Sequence, residues 1–266
     1  MKKLLSIVLI AIMAFISGCG AKPQEQEHQT SVYSWNRELF DDLSVMEQLK
    51  DYRVDIVYQG FHFESDEIET LVSGLRKSGI ETVALFGDPS WQNADEVIEW
   101  TLKPLIEYNK RVSKDARIEK ANYDIEWYLN ENSAEAFADY VSMMAAVCAE
   151  AHENDIQIIL CVPYWLPTVS TDLFKQLISQ ADEISVMNYA VGREAENLSD
   201  ICALASEVGV KVESAFETQP VGGDITENIT YAPKGKNGVL KAAEELRGRC
   251  DVSIAYHHLT TLLELK

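Results

Sequence analysis

Cationic side chains are scarce in this chain: 23 Lys and Arg stand against 43 Asp and Glu, for a formal net charge of −20. That balance excludes an ordinary nucleic-acid binder, which needs clustered Lys and Arg to displace counterions. It also excludes a protein held on anionic lipid by charge alone. Acidity of this kind serves solubility and is compatible with a neutral or weakly cationic ligand. Cysteine is sparse too, five in 266 residues. No two form a CxxC pair, and Cys148, Cys161, Cys202 and Cys250 sit inside apolar stretches. They read as buried thiols rather than a disulfide framework or a metal cluster. No G-x-G-x-x-G follows the first strand-like run, no HxH or HExxH occurs, and no local Ser/His/Asp or Cys/His arrangement stands out. No cofactor is therefore expected. Low-complexity segments and internal linkers are missing as well.

What is present begins at the N-terminus. Lys2 and Lys3 precede an apolar run over residues 4–16 in which Ser6 is the one polar residue. The run falls short of the roughly 20 residues a membrane span needs, and its charge, core and small-residue ending are those of a secretory signal. Ile16-Ser17-Gly18-Cys19 resembles the lipobox of bacterial lipoproteins. The resemblance implies a signal peptide over 1–18 and lipid on Cys19, which becomes the new N-terminus. Residues 20–31 hold almost nothing that could be buried, so 19–31 read as the lipidated Cys and a flexible tether with a reach of about 20 Å. The expected location is the extracytoplasmic side of a cell membrane, held there by lipid. Cleavage removes two cations and no acid, leaving about −22 on the mature side chains.

Residues 32–266 are long enough for one domain with a sizeable core, expected as a monomer. Strand-like runs at 32–35, 54–59, 82–86, 118–126, 156–163, 183–189, 211–217 and 252–257 alternate with amphipathic stretches such as 64–78, 95–113 and 132–153. In the last of these Phe137, Val141, Met144, Val147 and Ala151 fall at helical spacing, after a cap at Asn132 or Ser133. Eight β-α repeats predict an α/β fold, a closed (β/α)8 barrel of the TIM type; an open Rossmann-like sheet is the runner-up. Residues 219–238 form a long connection after the seventh strand, either a lid or binding loop or a surface insertion.

A barrel places its chemistry where strands end. The fourth run ends Asn122-Tyr123-Asp124-Ile125-Glu126, and residues two apart share a face. If that face is the barrel axis, Asp124 and Glu126 stand together in a poorly hydrated mouth, where like charges keep one acid protonated near neutral pH. A proton donor beside a charged neighbour suits glycosidic bond cleavage. Other strand ends offer Trp35 and Asn36, Gln59, Asp88 with Trp91, Trp165, Asn188 with Tyr189, Glu217 with Gln219, and His257. Aromatics mixed with hydrogen-bonding groups fit a sugar, whose ring faces stack while its hydroxyls seek partners.

Asn122-Tyr123-Asp124-Ile125-Glu126 together with Met187-Asn188-Tyr189 resembles the family 18 glycoside hydrolases, the chitinase-like barrels, whose fourth strand carries D-G-x-D-x-D-x-E and whose sixth carries M-x-Y. The resemblance implies that Glu126 is the proton donor, that Asp124 orients the N-acetyl group of the substrate, and that Tyr189 hydrogen-bonds to it. The acetamido oxygen of the substrate would then be the nucleophile. Asn122, Glu119 and Lys120 depart from the family pattern, and Tyr256-His257-His258 stands where the family supplies a Trp. The expected ligand is a carbohydrate or peptidoglycan fragment. Three alternatives stay open. Glu126 and Glu217 could form a two-carboxylate retaining pair, which requires about 5–5.5 Å between them. Asp124, Glu126, Glu217 and His257 could converge on a cation that activates water. A surface lipoprotein could also bind glycan without cleaving it.

Overall fold

The computed structural model describes residues 28–65 and 67–266; the expected signal peptide, Cys19 and tether residues up to 27 lie outside them. Among the described residues, eight strands close into one parallel barrel in sequence order. They are β1 (Thr30–Ser34), β2 (Ile56–Gly60), β3 (Glu81–Phe86), β4 (Lys120–Tyr123), β5 (Gln157–Pro163), β6 (Glu183–Met187), β7 (Lys211–Glu217) and β8 (Ser253–His257). Pairing of Ser31 with Ala255 closes the ring and disposes of the open-sheet alternative. The helices that cover it are α1 (Leu43–Asp51), α2 (Ile68–Lys77), α3 (Ala94–Val97), α4 (Lys103–Arg111), α5 (Ala134–Glu153), α6 (Thr171–Ile178), α7 (Glu194–Val208), α8 (Gly235–Arg247) and the short closing α9 (Leu259–Glu264). No helix of the described residues is long and apolar enough to cross a membrane.

The two-residue period of the strands sorts the core into two layers. Tyr33, Ile56, Tyr58, Val83, Leu85, Ile159, Cys161, Ala215 and Ala255 fill the barrel. Val32, Val57, Ala84, Tyr123, Leu160, Val186, Phe216 and Tyr256 face outward into the helix layer. The four described cysteines are free thiols, with Cys148 and Cys161 buried.

Boundaries differ from expectation in places that matter. β1 starts at Thr30, inside the stretch expected as tether up to Ser31. The fourth strand ends at Tyr123 rather than Glu126, because Ile125 and Trp127 turn into the outer core and Trp127–Leu129 coil into a 3-10 turn. The α5 cap is Ser133, whose oxygen accepts from Ala136 N at 3.1 Å. The helix expected over 95–113 holds a π turn at Ile98–Leu102, which brings Thr101 Oγ1 to 2.7 Å from Tyr123 OH. The long connection after β7 is shorter than expected, since α8 starts at Gly235. It is also tied down. Tyr231 N donates to Glu217 O at 2.9 Å, and Val191 N, from the β6–α7 connection, donates to Asn228 O at 2.8 Å. Tyr231 OH meets Glu194 Oε1 across the same seam.

Candidate functional site

The C-terminal ends of β4, β6, β7 and β8 bring Asp124, Glu126, Tyr189, Glu217 and His257 round one mouth. The strand period carries Asn122, Asp124 and Glu126 onto the inward face, as Asn122 demonstrates by donating to Tyr33 OH at 3.3 Å inside the barrel. Asp124 N still donates to Phe86 O at 2.8 Å, one step past the strand. The close approach needs Gly87, where a Cβ would lie 2.4 Å from Asp124 O.

Burial pushes the Asp124 carboxyl up to about 6, the Glu126 charge adds to the rise, and His257 opposes it. Asp124 Oδ1 is buried without a hydrogen-bond partner. The acid held towards its protonated form is therefore Asp124. Glu126 is half-buried and accepts from Tyr128 OH at 2.7 Å on Oε2; the Tyr128 ring meets Trp165 edge-on at 5.0 Å. The Tyr189 ring lies 5.8 Å from the His257 ring. Burial lifts its hydroxyl well above the usual tyrosine range, so it remains a neutral donor.

Glu217 is bound on all sides. Oε1 accepts from Thr218 N and Gln219 N, both at 2.8 Å. Oε2 accepts from His257 Nδ1 at 2.9 Å and from Gln219 Nε2 at 3.3 Å. Burial pushes this carboxyl up, but the His257 bond and charge and the two amides bring it below its ordinary value. For His257, burial pulls the imidazole down, and the Glu217 bond with the Glu217, Asp124 and Glu126 charges more than offsets that. The mouth thus holds a paired Glu217–His257 beside a buried Asp124 whose carboxyl is raised. A groove of about 700 Å³, walled by Trp91, Trp127 and Tyr140, includes none of these mouth residues.

No family model matches the chain, and no curated protein matches it in sequence. Solved structures do match in shape. A chitinase from Chromobacterium violaceum ATCC 12472 superposes with a TM-score of 0.57 at 11% identity, covering 88% of this chain and 95% of the other. The spore cortex-lytic enzyme SleL of Bacillus cereus gives 0.54 at 9% identity, over 88% of this chain and 71% of its own. A deoxyribose phosphate aldolase from Aeropyrum pernix gives 0.52 at 12%, over 89% and 87%. The shared feature is the (β/α)8 barrel. At these identities the likeness carries the fold, and the aldolase shows that one fold hosts unrelated chemistries.

Several expected site residues take other positions. Asn188 faces α7, not the mouth: its Nδ2 donates to Glu194 O and Ser214 Oγ, and its Oδ1 accepts from Asn197 Nδ2. Its neighbours Met187 and Tyr189 pack against the barrel interior, so the period sends Asn188 outward. Gln59 follows the inward Tyr58 and is likewise outward and fully buried, donating to Gly60 O at 2.8 Å. Asn36 caps the 3-10 turn at Arg37–Asp41, accepting from Glu38 N. Asp88 accepts from Ser90 N and Ser90 Oγ in a tight local turn. Gln219 serves Glu217. Trp35 is 49% exposed at the rim, against Gly60, and Trp165 is half-buried there. Position at a strand end does not fix the face a side chain takes, and Asn188 and Gln59 both take the outward one. The same parity, applied to every strand, finds Tyr33, Cys161 and Ser185, whereas Tyr128 sits in the 3-10 turn after β4 and has no strand period to announce it. Among the described residues no three His, Cys, Asp or Glu side chains gather as a metal site.

Proposed function

We propose that this protein is a glycoside hydrolase acting on N-acetylated glycan by substrate-assisted retention, displayed outside a cell membrane through lipid on Cys19. The observation that carries the reading is Asp124 Oδ1, buried and without a partner on the inward face next to Glu126. A buried acceptor left open costs free energy unless a ligand fills it, and an acetamido N–H is a donor of the right kind. Glu126 then gives its proton to the leaving oxygen, while the acetamido oxygen attacks the anomeric carbon. Ionised Asp124 stabilises the cation that forms, and the neutral Tyr189 hydroxyl holds the acetamido oxygen. No carboxylate of the protein forms a bond to sugar.

Glu217 supports this choice over the two-carboxylate mechanism, because each of its oxygens already accepts two hydrogen bonds. An attacking oxygen has to shed such partners. A second reading, glycan binding without cleavage, is favoured by the Tyr128 hydroxyl, which occupies one oxygen of the group that must donate. Incubation with N-acetylated oligosaccharides and peptidoglycan fragments tests the two. New reducing ends support hydrolysis; saturable binding with no new ends supports the second reading and sinks the first.

A further inference from the structure

Beneath the mouth the barrel encloses a carboxyl that this chemistry does not use. Glu213, on β7 and four residues below Glu217 on the same face, has no exposed surface. Tyr58 OH lies 3.0 Å from both its oxygens, and Ser185 Oγ donates to its Oε2 at 2.6 Å. The chain continues upward. Tyr33 OH donates to Ser185 Oγ at 2.8 Å, and Asn122 Nδ2 donates to the Tyr33 oxygen. Cys161 Sγ lies 3.0 Å from that oxygen and donates to Asn122 Oδ1 at 3.1 Å. Asn122 is two residues from Asp124 on the inward face.

Each hydroxyl carries one proton, so the directions are linked. An ionised Glu213 takes the Ser185 proton. Ser185 must then accept from Tyr33, and the Tyr33 oxygen is left only able to accept. The Ser185, Tyr33 and Asn122 donors all point down the barrel, away from the mouth. Asp124 Oδ1, at the top, receives nothing.

We propose that Glu213 is a positioning residue for Asp124: from inside the barrel it sets the direction of the Ser185–Tyr33–Asn122–Cys161 chain and so keeps Asp124 Oδ1 open for a ligand donor. The inference rests on the reading of Asp124 as a group that touches ligand. The groups facing Glu213 are Ser31 and Tyr33 from β1, Tyr58 from β2, Lys120 from β4, Cys161 from β5, Ser185 and Glu183 from β6, and Arg247 from α8. Burial pushes the Glu213 carboxyl up and Glu183 also opposes its charge, while the Ser185, Ser31 and Tyr58 hydrogen bonds, Lys120 and Arg247 favour it.

The variant Glu213→Gln keeps the shape, replaces the carboxyl by a group that cannot ionise and puts an amide donor against Ser185 or Tyr58. Ser185 can then turn its proton towards Tyr33, Tyr33 its own towards Cys161, and the Cys161 thiol, which lies beside Asp124, can point upward at it. Both changes favour the ionised Asp124. The measurement is a titration of the full-length protein carrying 13C-carboxyl aspartate, with the Asp124 signal assigned by its loss in Asp124→Asn. The Asp124 midpoint is expected to fall by about half a pH unit or more. In a parent that cleaves glycan, the acid limb of the pH–rate profile moves down by the same amount with KM little changed. An unchanged midpoint in folded Glu213→Gln overturns the proposal. Should that variant fail to fold, Ser185→Ala cuts the chain and keeps the carboxylate, and there too an unchanged midpoint overturns it. The titration needs no substrate. A shifted midpoint in a protein that cleaves nothing keeps the Glu213 chain and sinks the hydrolase reading instead.

Discussion

His257 Nδ1 and Glu217 Oε2 lie 2.9 Å apart, with the carboxylate 4% exposed and the imidazole 19%. The pair is largely out of water, and its two members are shifted in opposite senses, His257 up and Glu217 down. The Glu217 contribution to stability is present above its ordinary value and lost as pH falls through the lowered one. The His257 contribution is present below its ordinary value and lost as pH rises through the raised one. The pair therefore stabilises most between about pH 5 and 6.5. His257→Gln should cost roughly 3 kcal/mol near pH 6 and clearly less at pH 9. Urea unfolding at the two pH values checks this; an equal loss at both would mean the contact is not ionic.

Asp124 gives the opposite trend. Its carboxyl is raised from 3.8 to about 6, so the fold binds its proton more tightly than the open chain does, and stability falls as pH rises through 6. Asp124→Asn removes that cost. It should raise stability at pH 8 by roughly 2–3 kcal/mol and leave it nearly unchanged at pH 4. Thermal melts of parent and variant across pH 4–8 are the measurement, and a variant less stable than the parent at pH 8 refutes the burial argument.

On an N-acetylated aryl glycoside the three carboxylates should separate. Glu126→Gln should lose roughly 10²–10⁴-fold in kcat, the usual worth of a general acid. Asp124→Asn should lose heavily as well, through the charge aimed at the developing cation. Glu217→Gln should lose less. If Glu217→Gln is instead nearly dead and a 2-deoxy-2-fluoro glycoside labels Glu217, the two-carboxylate mechanism replaces the one proposed.

Gly87→Ala tests the packing beneath Asp124. A methyl there meets the Asp124 carbonyl oxygen at 2.4 Å, which is backbone and cannot swing aside. The expected cost is about 1–3 kcal/mol, accompanied by a displaced Asp124 and weaker glycan binding. Normal binding in a destabilised variant would separate the glycine from the site.

Cys19→Ala should abolish lipid attachment and alter precursor processing. Metabolic labelling with a fatty-acid analogue reads this directly, and equal labelling of parent and variant rules out the lipobox.

Much of the barrel was legible because strand and helix periods are local properties. The run at 211–217 coincides with β7, and 156–163 and 252–257 each differ from β5 and β8 by one residue. Asp124 and Glu126 were legible because the alternation of β4 carries on past Tyr123, where Asp124 N still pairs with Phe86 O. Asn188 and Gln59 were misread because strand-end position alone does not say which face a side chain takes. The Tyr33–Ser185–Glu213 chain joins three strands far apart in sequence, so no local pattern announces it. The capping of Asn36 and the turn at Asp88 belong to connections, where Asn and Asp serve the backbone as readily as a ligand.

On the β6–β7 side of the mouth the β6–α7 connection, with the first residue of α7, is stitched to the β7–α8 connection through Val191 with Asn228 and Glu194 with Tyr231. For protein engineering this makes them one cassette. Transplanting the β7–α8 connection alone into another barrel would strand half of each contact, so specificity carried on this rim should transfer only when both segments move together.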